Sequence, residues 1–408
     1  MNMLKKLSVL ICLIIIVLCG FLIFKPQKNN NEVVFWTLQM NDFAPYINGV
    51  ISEFESQNPN VKIKWIDVPF SEGEKRTLAS VLSDNPPDLV NLNPDFSAIL
   101  AQKGALEEIP ENQTTQYVPE IMESLKYNGK IYSLPWYATS AVTIYNKNIL
   151  QKAGVRVPST YEELKQIAPV VKEKTGVYVF LPNISENDTM LKILNKYGVN
   201  SSDTINSDKS LQVFNYFKDM YKQGLIPKES ITQTHREALE KYMSENIALF
   251  QSGANFLNMI KENAPTTYSH TDVAPQIKGE LGQNDFSLMN FVIPVRAKHK
   301  TEALEFALFL TNEKNQLELA KLTNVIAVNN NTLKNEFYTK YDNKDLMAKA
   351  RVISAKQLNK IQPALKSERN QKEINTLINS AVQEILLDKQ DTKTILNRVS
   401  KNWKSLNP

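Results

Sequence analysis

The sequence predicts an α/β fold in which mostly parallel sheets are flanked by helices, spread over more than one domain. Three observations predict it. Between Val33 and Leu92, short apolar β-rich runs alternate with segments of helical periodicity, the order expected of a sheet covered by helices. The chain has 408 residues, which at about 150 residues per domain suggests two or three. Hydrophobic residues make up 42% and charged residues 22%, close to the averages for folded soluble proteins, so most of the chain should bury ordinary cores.

Taken in order, the first element stands apart. After Lys5 and Lys6, the stretch from Leu7 to Phe24 carries no charge. As a helix it would reach about 27 Å, close to the hydrocarbon thickness of a bilayer. It reads as a secretory signal or a membrane anchor. We take residues 1–24 as an uncleaved anchor with Lys5 and Lys6 on the cytoplasmic side. Lipidation of Cys19, which is followed by Gly20, is the alternative, although Leu18 stands where such sites carry a small residue. Both readings leave the bulk of the protein outside the membrane and tethered to it. The chain has 2 cysteines, Cys12 and Cys19, so the remainder must be held by packing without disulfides.

Lys25 to Glu32 (KPQKNNNE) is polar and reads as a tether, residues 25–32. VVFWTL, Val33 to Leu38, has the look of a buried strand. Gln39 to Asp42 form a turn, and Phe43, Ile47, Val50, Ile51 and Phe54 recur at helical spacing. Asn58-Pro59-Asn60 ends that helix. Val61 to Val68 alternates with period two as a half-exposed strand, a helix follows around Glu74 to Leu82, and Leu89 to Leu92 is the third strand. Thr160-Tyr161-Glu162-Glu163 fits a helix capping box, and Gly176 suits that helix's end. Val177 to Pro182, Glu245 to Ile260 and Phe286 to Pro294 supply further strands and turns. Helical periodicity fills Ala303 to Leu310, Asn315 to Leu322, Lys344 to Ile361 and Lys372 to Leu387.

The composition also excludes functions. A net charge of +4 from 47 basic and 43 acidic residues, with the basic residues scattered, does not build the phosphate-binding stripe that nucleic acid requires. The three histidines, His235, His270 and His299, are far apart and lie in polar stretches, which suits solvated surface positions better than metal ligation. No nucleophile elbow or phosphate loop is present, and no cofactor is expected. Acidic residues such as Glu302, Glu305 and Glu313 alternate with lysine on helix faces as solvating charges do.

What recurs is a polar or aromatic cluster just after a strand, the place where open α/β sheets bind ligands. The candidate ligand contacts are Gln39 and Asn41 after the first strand, Asn93 and Asp95 after the third, Trp136 and Tyr137, Asn255 after Ser252-Gly253, and Asn290. Amides, one carboxylate and aromatic faces form a set that can pair with vicinal hydroxyls and cover the apolar face of a sugar ring. The plain alternative for each is a turn former or a core aromatic. Pro135 raises a separate question, because proline donates no ladder hydrogen bond and is unexpected in an interior strand.

Seven segments together resemble a known family, the extracytoplasmic solute-binding proteins of ATP-driven (ABC) importers, and within it the carbohydrate-binding group that includes maltose-binding protein. They are VVFWTL, FESQNPNVKIK (Phe54 to Lys64), NPPDLVNL (Asn85 to Leu92), YNGKIYSLPWYA (Tyr127 to Ala138), YNKNILQKAGVRVPSTYEEL (Tyr145 to Leu164), ENIALFQSGANF (Glu245 to Phe256) and Phe291 to Ala320. The resemblance implies a two-lobe clamp of the periplasmic-binding-protein kind, with residues 33–134 and 277–328 in lobe 1 and 135–276 and 329–408 in lobe 2. It places the first crossing between lobes near Leu134 to Ala138, with Trp136 and Tyr137 facing the cleft. It implies a monomer that binds a small carbohydrate or related polar solute and docks on ABC permease subunits, without acting as an enzyme. Asn255 and Leu92 stand where relatives carry aromatic residues, which argues against a long stacked maltodextrin. The rival readings are an anchored carbohydrate-processing enzyme and the binding module of a sensor system.

Overall fold

The computed structural model describes residues 31–361 and 370–406, apart from a few side chains at 31, 70–75 and 359. The expected anchor, most of the tether and Cys19 lie outside the described residues. Among the described residues no helix is long and apolar enough to cross a membrane.

β1 (Asn31–Leu38) pairs in parallel with β2 (Val61–Val68), from Asn31 opposite Val61 to Leu38 opposite Val68. On its other side it pairs in parallel with β3 (Leu89–Leu92). Because side chains alternate along a strand, Val33 and Phe35 enter one core with Ile47, Val50 and Phe54 of the helix Ala44–Gln57. Trp36 enters the opposite layer with Val68, Val90 and Leu100. β1 is thus buried on both faces, as its unbroken apolar run predicts.

β4 (Lys126–Tyr127) and β5 (Lys130–Ile131) form a small hairpin. β6 (Leu134–Thr139) follows, then β7 (Val142–Asn146), β8 (Tyr178–Phe180), β9 (Ile247–Ser252), β10 (Thr271–Ala274), β11 (Ser287–Val292) and β12 (Ile326–Ala327). The first sheet has the order β12-β6-β11-β3-β1-β2 and the second β10-β7-β9-β8. The expectation of mostly parallel sheets is corrected here. In the first sheet β11 runs antiparallel to both β3 and β6, and β12 is antiparallel to β6. In the second, only β8 and β9 are parallel. β11 returns from the other lobe, so no βαβ unit forces its direction, and β12 follows it in the same sense after two helices.

The chain leaves the first sheet after Thr139, since β6 lies wholly within it, five residues later than the expected boundary at 134. Pro135 is accommodated because β12 pairs only with Ala138 and Tyr137, and because the β6–β11 ladder shifts register between Met289 and Asn290. No partner on the β12 side needs a proline N–H at that point. Segment 329–339 also stays with the first core, through Tyr338, whose hydroxyl accepts from Ala327 N–H at 2.8 Å. The helices Gln371–Leu386 and Thr392–Leu406 pack in the second core.

Three crossing segments meet at one buried polar knot. Gln276 Nε2 donates to Ser140 Oγ (2.9 Å) and to the Asp285 carbonyl (2.7 Å), while its Oε1 accepts from Asp285 N–H at 3.1 Å. Gln357 Nε2 donates to Ser140 Oγ (3.0 Å) and Ala141 O (2.8 Å), and its Oε1 accepts from Gln276 N–H at 2.7 Å. Gln357 ends the helix Leu346–Gln357, which packs on β7, β10 and β12 and so touches both sheets. Buried amides at a crossing must be satisfied, and here each satisfies another.

Candidate functional site

A cavity of about 440 Å³ opens where the first and second crossings meet the second sheet. Its volume falls within the roughly 300–1,000 Å³ of ligand pockets. Thr139, Ser140 and Ala141 at the end of β6, and Asp285, Phe286 and Ser287 at the start of β11, form one wall. The opposite wall is built at strand ends: Phe180 to Ile184 and Glu186 to Thr189 from the end of β8 onward, and Phe250 to Gly253 with Phe256 at the end of β9.

Polar groups there are fixed by local structure. Glu186 Oε2 accepts from Asn183 Nδ2 (2.8 Å) and from His235 N–H (2.7 Å), the latter at the start of the helix His235–Met243. That helix carries a complete capping box between Thr234 and Glu237, which sets the direction in which His235 leaves the backbone. The His235 ring lies edge-on to Phe256 at 5.2 Å and 6.0 Å from Phe250, with Nε2 hydrogen-bonded to Ser252 Oγ at 2.9 Å. The expectation of solvated surface histidines is therefore corrected for His235.

Burial lowers the His235 pKa from its ordinary 6.5, and Glu186 only partly opposes this. Because the unfolded histidine binds the proton more readily, stability is fully present above pH 6.5 and is lost as pH falls through the depressed folded value. Urea midpoints measured from pH 8 to pH 5 should fall more steeply for the native chain than for His235→Gln. Equal slopes would show that His235 is as well solvated folded as unfolded.

Two lysines organise the charge. Lys192, on the helix Thr189–Asn195, lies 3.1 Å from Asp188. Burial opposes its charge, but Asp188, Asp285 and Asp95 together hold its pKa above the ordinary lysine value. Asp95 belongs to the first lobe, at the first turn of the helix Pro94–Gln102, so carboxylates from both lobes act on one ammonium. Lys196 is 1% exposed and reaches Asp285 at 3.3 Å, Gln276 Oε1 at 3.3 Å and the Ile277 carbonyl at 3.1 Å.

None of the eight expected contacts is among the described lining residues. Trp136 is corrected to a core residue: it is 0% exposed, 4.7 Å from the Phe291 ring, and its carbonyl accepts from Gln316 Nε2. Asn290 is likewise interior, donating from Nδ2 to Ser97 Oγ at 2.6 Å and accepting at its carbonyl from Asn91 Nδ2 at 3.2 Å. Asn93 caps the helix Pro94–Gln102, accepting from Phe96 N–H at 2.9 Å. Tyr137 is half-buried beside Trp136, and burial pushes its hydroxyl up to about 12.

Gln39, at φ 51, Asn41 and Asp95 are exposed at the ends of the first-lobe strands. Asn255 is exposed beside Phe256, and its Oδ1 lies over Gly253, 2.5 Å from where a Cβ would stand. The residues missed by sequence reasoning, Asn183, Glu186, Asp188 and Lys192, follow a recognised strand, but their polar turn carried no aromatic cue. Among the described residues no group of three or more His, Cys, Asp or Glu could hold a metal ion.

The family model described as "Bacterial extracellular solute-binding protein" matches residues 49–348. The chain belongs to that family. This solute-binding protein is 24% identical over 326 residues to the multiple sugar-binding protein of Streptococcus mutans, covering 71% of this chain and 73% of the relative. Among solved structures it superposes on a candidate oligosaccharide periplasmic-binding protein from Synechococcus sp. MITs9220 with a TM-score of 0.82 and 28% identity, over 92% of this chain and 98% of the other. The sugar-binding protein MalE from Xanthomonas citri superposes with a TM-score of 0.79 at 19% identity, over 92% and 97%, which speaks to the fold alone. The solute-binding protein thus has the α/β two-lobe architecture of the periplasmic-binding-protein kind, and its family places it on the extracytoplasmic side.

Proposed function

We propose that the protein captures a sugar or related polar solute in the cleft between its lobes and delivers it to an ABC permease without changing it. The observation that carries this reading is the cavity at the seam of the crossings, with carboxylates, amides and aromatic rings on its walls. Carboxylates and amides accept and donate to vicinal hydroxyls, and rings such as Phe256 and His235 cover the C–H face of a sugar. The sugar-binding names of the Streptococcus and Xanthomonas relatives support the same class.

The knot supports a reading in which capture proceeds by lobe closure. The crossings are hydrogen-bonded to one another through Ser140, Gln276 and Gln357, and rotation of the lobes about this knot is the closure proposed. A solute favours the closed form only by the contacts it adds there. Asp95 and Asn255, exposed at strand ends of the two lobes, are proposed to add such contacts, with Gln39, Asn41 and Tyr137 near the first-lobe rim. The protein acts as a monomer tethered by the segment Leu7 to Phe24, or by lipid at Cys19, which raises its effective concentration at the permease.

The test is a thermal-shift and titration panel of neutral mono- and oligosaccharides on the full-length protein in a sugar-free detergent, since a ligand that binds only the folded state raises Tm by mass action. Recovered sugar should be chemically unchanged; new reducing ends would favour a processing enzyme. Phe256→Ala should weaken the best hit by about 1–2 kcal/mol, roughly five- to thirtyfold. Unaltered affinity in that variant would remove the ring from the site.

A further inference from the structure

The charge inventory of the cleft narrows the solute further. Its described walls carry the carboxylates of Glu186, Asp188 and Asp285. Against these three stand two ammoniums, Lys192 on the wall and Lys196 buried behind it. Both are committed: Lys192 to Asp188 at 3.1 Å, and Lys196 to Asp285 at 3.3 Å with two further acceptors. Among the described residues no arginine lines the cavity. His235 supplies a ring wedged between Phe250 and Phe256 and bonded to Ser252.

We infer that the cleft selects by charge, admitting neutral or amine-bearing carbohydrate and excluding carbohydrate that carries a carboxylate or phosphate. This rests on the reading of the cleft as a carbohydrate site. An anionic solute must either displace Asp188 from Lys192 or lay its own charge against a surplus of carboxylates. Two like charges a few ångströms apart repel, at the effective dielectric of a protein surface, by more than a single hydroxyl contact returns. A protonated amine meets the opposite situation, with Glu186, Asp188 and Asp285 on the wall that it faces. Neutral hydroxyls pay neither cost, and they use the carboxylates as acceptors.

The experiment compares three solute sets of matched length on the full-length protein in a sugar-free zwitterionic detergent, at low and at physiological salt. The sets are neutral oligosaccharides, glucosamine oligomers, and galacturonic acid oligomers together with sugar phosphates. The tightest neutral or amine-bearing solute should bind at least about a hundredfold more tightly than any anionic one. Asp188→Asn, which leaves Lys192 less compensated, should narrow that gap about tenfold. An anionic solute among the tightest binders overturns the charge rule and leaves the binding reading standing, as does a gap that Asp188→Asn does not change. A panel in which no solute of any set raises Tm overturns the carbohydrate reading and the charge rule together.

Discussion

Trp136→Ala should lower the unfolding free energy by about 3–5 kcal/mol while leaving solute affinity close to native. The indole is fully buried in the first core, tilted against Phe291 and edge-on to Tyr137. Truncation removes its transfer free energy and leaves a cavity that the flanking strands β11 and β12 cannot close without losing register. Urea denaturation followed by tryptophan emission of the remaining indoles measures the loss. Trp136→Phe keeps most of the volume and should cost well under half as much. A stable Trp136→Ala protein with weakened sugar binding would return the indole to the cleft.

The second large effect concerns the pair beneath the cleft floor. Lys196 is buried at the crossing knot, whereas Asp285 is part-exposed and lines the cavity. Asp285→Asn removes the countercharge and leaves the ammonium with neutral oxygens, those of Gln276 and Ile277 among them. Breaking a fully buried pair in this way costs about 3–5 kcal/mol; the partial exposure of Asp285 reduces the expected loss to about 2–3 kcal/mol. Lys196→Met should cost less, because the carboxylate it abandons can turn to water. Since Asp285 also stands in the wall, its variant should lose solute affinity along with stability, and Lys196→Met should keep more of both. Equal losses in the two variants would contradict the asymmetry of burial on which this rests.

Much of the lobe architecture was legible in the residues. Val33 to Leu38, Val61 to Val68 and Leu89 to Leu92 are strands as the apolar runs and alternation require. Thr160 caps its helix and Gly176 ends it at φ 78. These features are local: periodicity, proline and caps act within a few residues. The helices Asp208–Lys222 and Thr392–Leu406 were not read, although both carry apolar residues at helical spacing.

The candidate site was far less legible. Strand ends were recognised as the place to look, yet the aromatic chosen on β6, Trp136, points into the sheet layer, and Asn290 spends its amide on Ser97. A side chain's face depends on register, and the register of β6 is set by β11 and β12, which lie well over a hundred residues along the chain.

The sequence by itself determined the strand and helix segments, the absence of disulfides after Cys19 and the family, because each is written in short-range pattern or composition. Only the tertiary structure decided the antiparallel returns of β11 and β12, the knot of Ser140, Gln276 and Gln357, and the meeting of Glu186, Asp188, Lys192, His235 and Asp285 around one cavity. Those groups are drawn together by packing two cores against shared crossings, and contacts between residues so distant in sequence leave no periodic trace for a reader of the chain.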